Sequence, residues 1–178
     1  MKKIRVIVIG AGSRGDRYAG LMNKLPEQYE IVGMADPAEA RRIHFQKAYG
    51  VPAEYCYTGW EDILSQPKMA DVAVIATVDN MHYEPALMAI EKGYDLLLEK
   101  PVAIHAEECA DIARAAKEKG VKISCDLNFR KKLWSREEAC KTMTELCKYV
   151  DVCISNEEDA KDVFGIEAEN TDIYGGKL

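Results

Sequence analysis

A glycine-rich turn near the start constrains this chain more than any other feature. Gly10-Ala11-Gly12-Ser13-Arg14-Gly15 satisfies G-x-G-x-x-G, follows a β-branched run and opens a helical stretch. Asp36 stands 21 positions beyond Gly15, at the end of the next apolar run. Each part has a mechanical reason: Gly10 permits a tight turn, Gly12 lets backbone approach a pyrophosphate, and Gly15 lets the helix pack closely on the strand. The helix start then offers free N–H groups and a positive dipole end to phosphates. Ser13 and Arg14 lie within the turn and count with the three glycines as cofactor-binding candidates. Asp36 is expected to accept hydrogen bonds from both ribose hydroxyls of an adenosine. Glycines alone would mark only a strand-to-helix turn; strand, helix and acid in register point to a dinucleotide. A carboxylate at that place repels a 2′-phosphate, so NAD is the expected cofactor and NADP the less favoured one. Arg41 and Arg42 sit just beyond and could relieve that repulsion.

The rest of the chain repeats the same alternation. Strands are expected at residues 5–9, 31–35, 72–77, 95–98, 122–125 and 150–155, with a weaker one near 54–57. Helical patterns fill 15–24, 38–49, 60–65, 83–92, 106–119, 135–148 and 157–164. Continuous apolar strands separated by amphipathic helices imply an α/β fold of Rossmann type, a doubly wound, mostly parallel sheet with helices on both faces. Gly50, Gly93 and Gly120 stand where helices are expected to end. The polar stretch 167–178, closing on Gly175-Gly176, reads as a frayed tail.

With 24 Lys+Arg against 30 Asp+Glu the chain is net acidic, and its longest basic cluster is Arg130-Lys131-Lys132, so nucleic acid is a poor partner. No apolar run approaches the roughly 18 residues of a membrane span. The start, Met1 to Gly10, is too short and too β-branched for a signal peptide. Its six cysteines show no C-x-x-C pair and no zinc-finger spacing with histidine, which implies reduced thiols, no metal site and a cytoplasmic address.

In open parallel sheets ligands bind beyond the carboxyl ends of the strands. The fourth long strand runs into Ala76-Thr77-Val78-Asp79-Asn80-Met81-His82 and the fifth into Glu99-Lys100-Pro101. These residues, with the glycine turn, Pro85 and Gly93, resemble the Gfo/Idh/MocA family of sugar and inositol dehydrogenases over about residues 3 to 120. The family's middle segment is A-T-P-N-x-x-H-like; here Val78 replaces the proline and the spacing slips. The resemblance implies that Thr77, Asn80 and His82 line the nicotinamide side of the cofactor. It gives Glu99 a contact with the nicotinamide ribose and Lys100 the catalytic place, meeting the substrate hydroxyl that loses its proton as hydride leaves its carbon. An ammonium beside a carboxylate at a strand end suits that task. Taken singly, Lys100 reads as a solvated lysine, His82 as a helix-start residue and Thr77 as an N-cap.

Two domains are expected: a dinucleotide-binding one over 1–122 and an extension over 123–178 that continues the same sheet. A family dehydrogenase needs a second, substrate-facing domain whose helix supplies a histidine, and no histidine follows His105. The chain is therefore expected to bind cofactor without turnover of its own, and to self-associate through the face that such a domain would cover. The segments from Cys125 to Ser135 and from Tyr149 to Ala160 resemble ribokinase-like (PfkB-type) sugar kinases, closest to 2-keto-3-deoxygluconate kinases. That resemblance implies a nucleotide and magnesium role for Asn156 and Asp159 and brings Arg130 near substrate or phosphate. The plainer reading makes Ser135 an N-cap with Glu138 in a capping box, and Asn156 another cap. A chimera joined near 115–122, or a scaffold without small-molecule function, is the alternative to a dehydrogenase domain.

Overall fold

The computed structural model describes residues 2–132 and 134–167, and they fall into two compact units that divide at Lys119/Gly120. The first alternates strand and helix: β1 (Ile4–Ile9), α1 (Ser13–Asn23), β2 (Tyr29–Ala35), α2 (Glu39–Tyr49), β3 (Cys56–Tyr57), α3 (Trp60–Ser65), β4 (Val72–Ile75), α4 (Tyr83–Glu91), β5 (Asp95–Leu98) and α5 (Ala106–Glu118). Its five strands are all parallel, in the order β3-β2-β1-β4-β5. Chain order reverses between β1 and β4, so the loops leaving those strands part there and open a crevice at the carboxyl edge.

Burial explains why these runs become central strands. Val6, Ile7, Val8 and Ile9 in β1, and Ala73, Val74 and Ile75 in β4, are buried on both faces of the sheet. A strand covered on both sides has no use for polar alternation. Val6, Val8, Met34, Phe45, Val51 and Val74 share one core with Ala19 of α1, which binds the two first helices to the same face of the sheet.

The second unit holds β6 (Ser124–Asp126), α6 (Arg136–Leu146), β7 (Val152–Ile154) and α7 (Glu157–Phe164). Its own core is Leu127, Phe129, Ala139, Met143 and Val163. Here the structure departs from the expected continuous sheet. β6 and β7 pair in parallel with each other, Cys125 opposite Cys153, and form a separate two-stranded sheet. A separate core gives these strands a face to cover without joining the first sheet. The expected caps are present: Ser135 Oγ accepts the Glu138 N–H at 3.2 Å while Glu138 Oε2 accepts the Ser135 N–H at 3.0 Å. Leu133 and the expected tail with Gly175-Gly176 lie outside the described residues.

Candidate cofactor-binding site

The turn after β1 is built around glycine for reasons of space. Gly10 has φ +87°, and a Cβ there would come within 2.5 Å of the Ala76 carbonyl oxygen at the end of β4. A Cβ on Gly15 would lie 1.9 Å from the Gly10 carbonyl oxygen, so α1 could not seat against β1. Gly12 differs. Its conformation is ordinary, and the nearest atom to a Cβ would be Arg41 Nη1 at 3.7 Å. Among the described residues, no packing demands a glycine at position 12; room above the backbone is what it keeps. Gly12 is also the N-cap of α1, with no side chain capping the helix, and Ser13 and Arg14 are exposed on its first turn. Uncapped first-turn N–H groups beneath open backbone are what a diphosphate requires, so the donor set fits a dinucleotide.

Asp36 does something that its place in the sequence does not reveal. The residue is only 2% exposed. One carboxylate oxygen accepts the Ala11 N–H at 2.9 Å and a guanidinium N–H of Arg41 at 3.1 Å; the other accepts the Ala38 N–H at 2.9 Å. Asp36 thus ties the tip of the glycine turn to the start of α2. Protein donors meet both of its oxygens, and the carboxylate keeps acceptor capacity beyond them. Arg42 donates to the Asp36 and Pro37 carbonyl oxygens at 2.8 and 2.9 Å and fixes the same corner through backbone.

On the other side of the crevice, Glu99 is buried at the end of β5. Its Oε1 accepts the Tyr18 hydroxyl at 2.7 Å and lies 3.7 Å from Arg14 Nε, and its Oε2 accepts the Lys100 N–H at 3.0 Å. Burial works to raise the Glu99 carboxyl, but the Tyr18 hydrogen bond, the Lys100 N–H and the charges of Arg14 and Lys100 outweigh it and hold the group below its ordinary range. The same hydrogen bond, followed by burial, pushes the Tyr18 phenol up. Lys100, the expected catalytic amine, is exposed, and the Lys100–Pro101 bond is cis.

Thr77, Asn80 and His82 do not act alike. Asn80 is exposed on the short turn Asp79–Met81. Thr77 Oγ1 donates to the Met81 carbonyl at 2.9 Å and closes that turn. His82 is 1% exposed, with Nδ1 2.6 Å from the Pro101 carbonyl oxygen and Nε2 3.3 Å from that of Thr77. A ring so enclosed fastens the β4 loop to the β5 loop through the Pro101 carbonyl. Tyr18 is the site residue that sequence reasoning misses. Its one available signal is its place four positions after Arg14, on the same face of α1.

In the second unit, Asn156 Oδ1 caps α7 by accepting the Asp159 N–H at 2.7 Å. Asp159 is turned inward, accepting the Phe129 N–H at 3.1 Å and the Asn156 side-chain amide at 2.9 Å. Among the described residues, no helix is long and apolar enough to cross a membrane.

The Gfo/Idh/MocA model, an oxidoreductase family with an NAD-binding Rossmann fold, matches residues 4–127. The chain is 27% identical over 121 residues to the 2,7-anhydro-N-acetylneuraminate hydratase of Mediterraneibacter gnavus, covering 68% of this chain and 30% of that protein. It is 30% identical over 128 residues to the scyllo-inositol 2-dehydrogenase (NADP(+)) IolW of Bacillus subtilis, covering 71% of this chain and 34% of the relative. It therefore spans about a third of the length of these relatives. The WlbA dehydrogenase from Bordetella pertussis, solved with NADH and UDP-GlcNAcA, shares the fold with a TM-score of 0.63 at 22% identity, over 83% of this chain and 42% of that one. With the glycine turn, the Asp36 brace and the Glu99-Lys100-Pro101 corner all falling inside the matched span, the chain belongs to the Gfo/Idh/MocA oxidoreductase family and carries its NAD-binding Rossmann fold.

Proposed function

We propose that residues up to about 120 are the NAD-binding domain of a sugar or polyol dehydrogenase, and that this chain binds the cofactor without turning over substrate by itself. The observation that carries the reading is the open backbone at Gly12 above the uncapped start of α1, a seat for a diphosphate that no internal packing explains. NAD bound there supplies a hydride acceptor. The residues of this chain do the rest. The amides of the turn hold the pyrophosphate, Glu99 is braced by Tyr18 and Arg14, and its backbone contact sets where Lys100 starts. Lys100, exposed at the sheet edge, is the group that would hydrogen-bond and polarise a carbinol oxygen. The relative named as a scyllo-inositol 2-dehydrogenase supports a polyol as the substrate class. Exposed Val78, Met81, Val102 and Ile104 ring the two loops beside Lys100, which suits an apolar face that a substrate-bearing surface or a second copy of the chain covers.

Titrating the chain with NADH and following cofactor fluorescence tests this. Saturable micromolar binding supports the reading; no binding overturns it in favour of a scaffold without small-molecule function.

For the second unit we infer a different ancestry, that of a sugar-kinase segment joined to the dehydrogenase domain. The likeness of residues 125–135 and 149–160 to segments of sugar kinases is what supports that reading. With Asn156 and Asp159 spent on a helix cap and a loop brace, the unit is proposed to bind no ATP. Saturable ATP binding in the same titration would overturn that.

A further inference from the structure

Three of the cysteines gather at one margin of the second unit. Cys125 and Cys153 face each other in the β6–β7 ladder. Facing residues of neighbouring parallel strands point to the same side of the sheet, with the strands about 4.8 Å apart. That side is the core side, because Cys125 packs against the unit's core, and so does Cys147 at the C-cap of α6. The thiols feel one another. Burial, then the Cys153 thiol beside it, pushes the Cys147 thiol up; burial, then Cys153 and Cys147, does the same to Cys125. Access separates the three. Cys153 is exposed, on a strand whose Val152 and Ile154 also stand open, while Cys147 and Cys125 are half-buried.

We propose that Cys153 and Cys147 form a thiol–disulfide exchange site whose substrate is a small soluble disulfide of the glutathione class. In the first step the Cys153 thiolate attacks one sulfur of the glutathione disulfide. That S–S bond breaks, a mixed disulfide forms on Cys153, and one glutathione leaves as a thiol, taking up the proton that Cys153 gave. In the second step the Cys147 thiolate attacks the Cys153 sulfur, and the other glutathione leaves with the Cys147 proton. Two protein thiols are oxidised to one disulfide while one glutathione disulfide is reduced to two thiols. A thiol whose pKa is raised reacts slowly with a solute, but Cys147 has only to attack a sulfur held next to it, and proximity multiplies that rate. Cys125 is less suited to the second step. Its thiol donates to the Asp126 carbonyl at 3.7 Å, and its backbone is fixed in the ladder, whereas Cys147 stands at a helix end. Closure shuts the loop of residues 148–152 and pins the end of α6 to β7.

The test incubates the full chain with mixtures of reduced and oxidised glutathione, blocks the remaining thiols with iodoacetamide and maps the products by mass spectrometry. The expected product is a Cys147–Cys153 disulfide, with little glutathione left on Cys153. Cys140, exposed two turns up α6 from Cys147, is the internal comparison and should stop at the mixed disulfide. In Cys147→Ser the glutathione adduct on Cys153 should accumulate by about tenfold, and Cys125→Ser should behave as the unaltered chain does. Four results overturn the proposal: glutathione retained on Cys153 of the unaltered chain, a Cys125–Cys153 bond, a disulfide between two chains, or Cys153 still reduced where Cys140 is fully modified. Should Cys147→Ser not fold, the map of the unaltered chain separates the same outcomes. None of these results depends on whether the first unit binds a dinucleotide.

Discussion

Tyr18 in α1 and Glu99 at the end of β5 meet through a 2.7 Å hydrogen bond across 81 positions of sequence. This contact links the helix that starts at the glycine turn to the corner that bears Lys100, the two parts that have to be in register for a dinucleotide to reach from one to the other. Tyr18→Phe removes the donor and leaves the ring. The expected cost is about 1 kcal/mol of stability, read by urea unfolding, with a larger proportional loss in NADH affinity than in stability. Unchanged NADH binding would confine the contact to a structural role.

Gly12→Val should separate folding from binding. The substituted Cβ finds nothing closer than 3.7 Å, and the backbone there is compatible with any residue, so the thermal transition should stay within a few degrees. NADH binding should fall by more than tenfold, because the side chain enters the space over the first-turn amides. A variant that unfolds would contradict the open geometry described at this position.

Gly15→Ala is the contrasting case. Its Cβ would stand 1.9 Å from the Gly10 carbonyl oxygen, a backbone atom that cannot swing aside. Overpacking of this kind costs on the order of 1–3 kcal/mol or more. Denaturant unfolding should show that loss, and cofactor binding should weaken with it.

Glu99 gives the acid limb of stability a specific contributor. Its folded carboxyl is held below the ordinary value of 4.5, so the unfolded chain binds more protons in the window between the two values. The stabilisation is therefore complete above about pH 5 and disappears as pH falls through the folded value. Glu99→Gln should be less stable than the unaltered chain at pH 7, and the difference between the two should narrow as the solution is acidified below pH 4.5. Equal stability at pH 7 would show that the Tyr18 and Arg14 contacts give the carboxylate no net advantage.

Most of the framework is written locally. Helices at Trp60–Ser65 and Glu157–Phe164 and the strand Asp95–Leu98 fall where the pattern of apolar residues puts them, because short apolar runs and capping residues act within a few positions. The strand expected to reach residue 77 stops at Ile75, since Thr77 spends its hydroxyl on the Met81 carbonyl and turns the chain. What sequence leaves open are contacts made at a distance. That Asp36 is an acid at the end of β2 is legible; that its oxygens are taken by Ala11, Ala38 and Arg41 depends on where three separate segments come to rest. The pairing of β6 with β7 is the same kind of fact, because a parallel run looks identical whether it joins a neighbouring sheet or starts another.

His82 has an effect that reaches past its own burial. With one ring nitrogen against the Pro101 carbonyl and the other against that of Thr77, it staples two lips of the crevice into a single jaw. Because Pro101 follows directly on Lys100, the ring ties the backbone just past that lysine to the segment beyond β4.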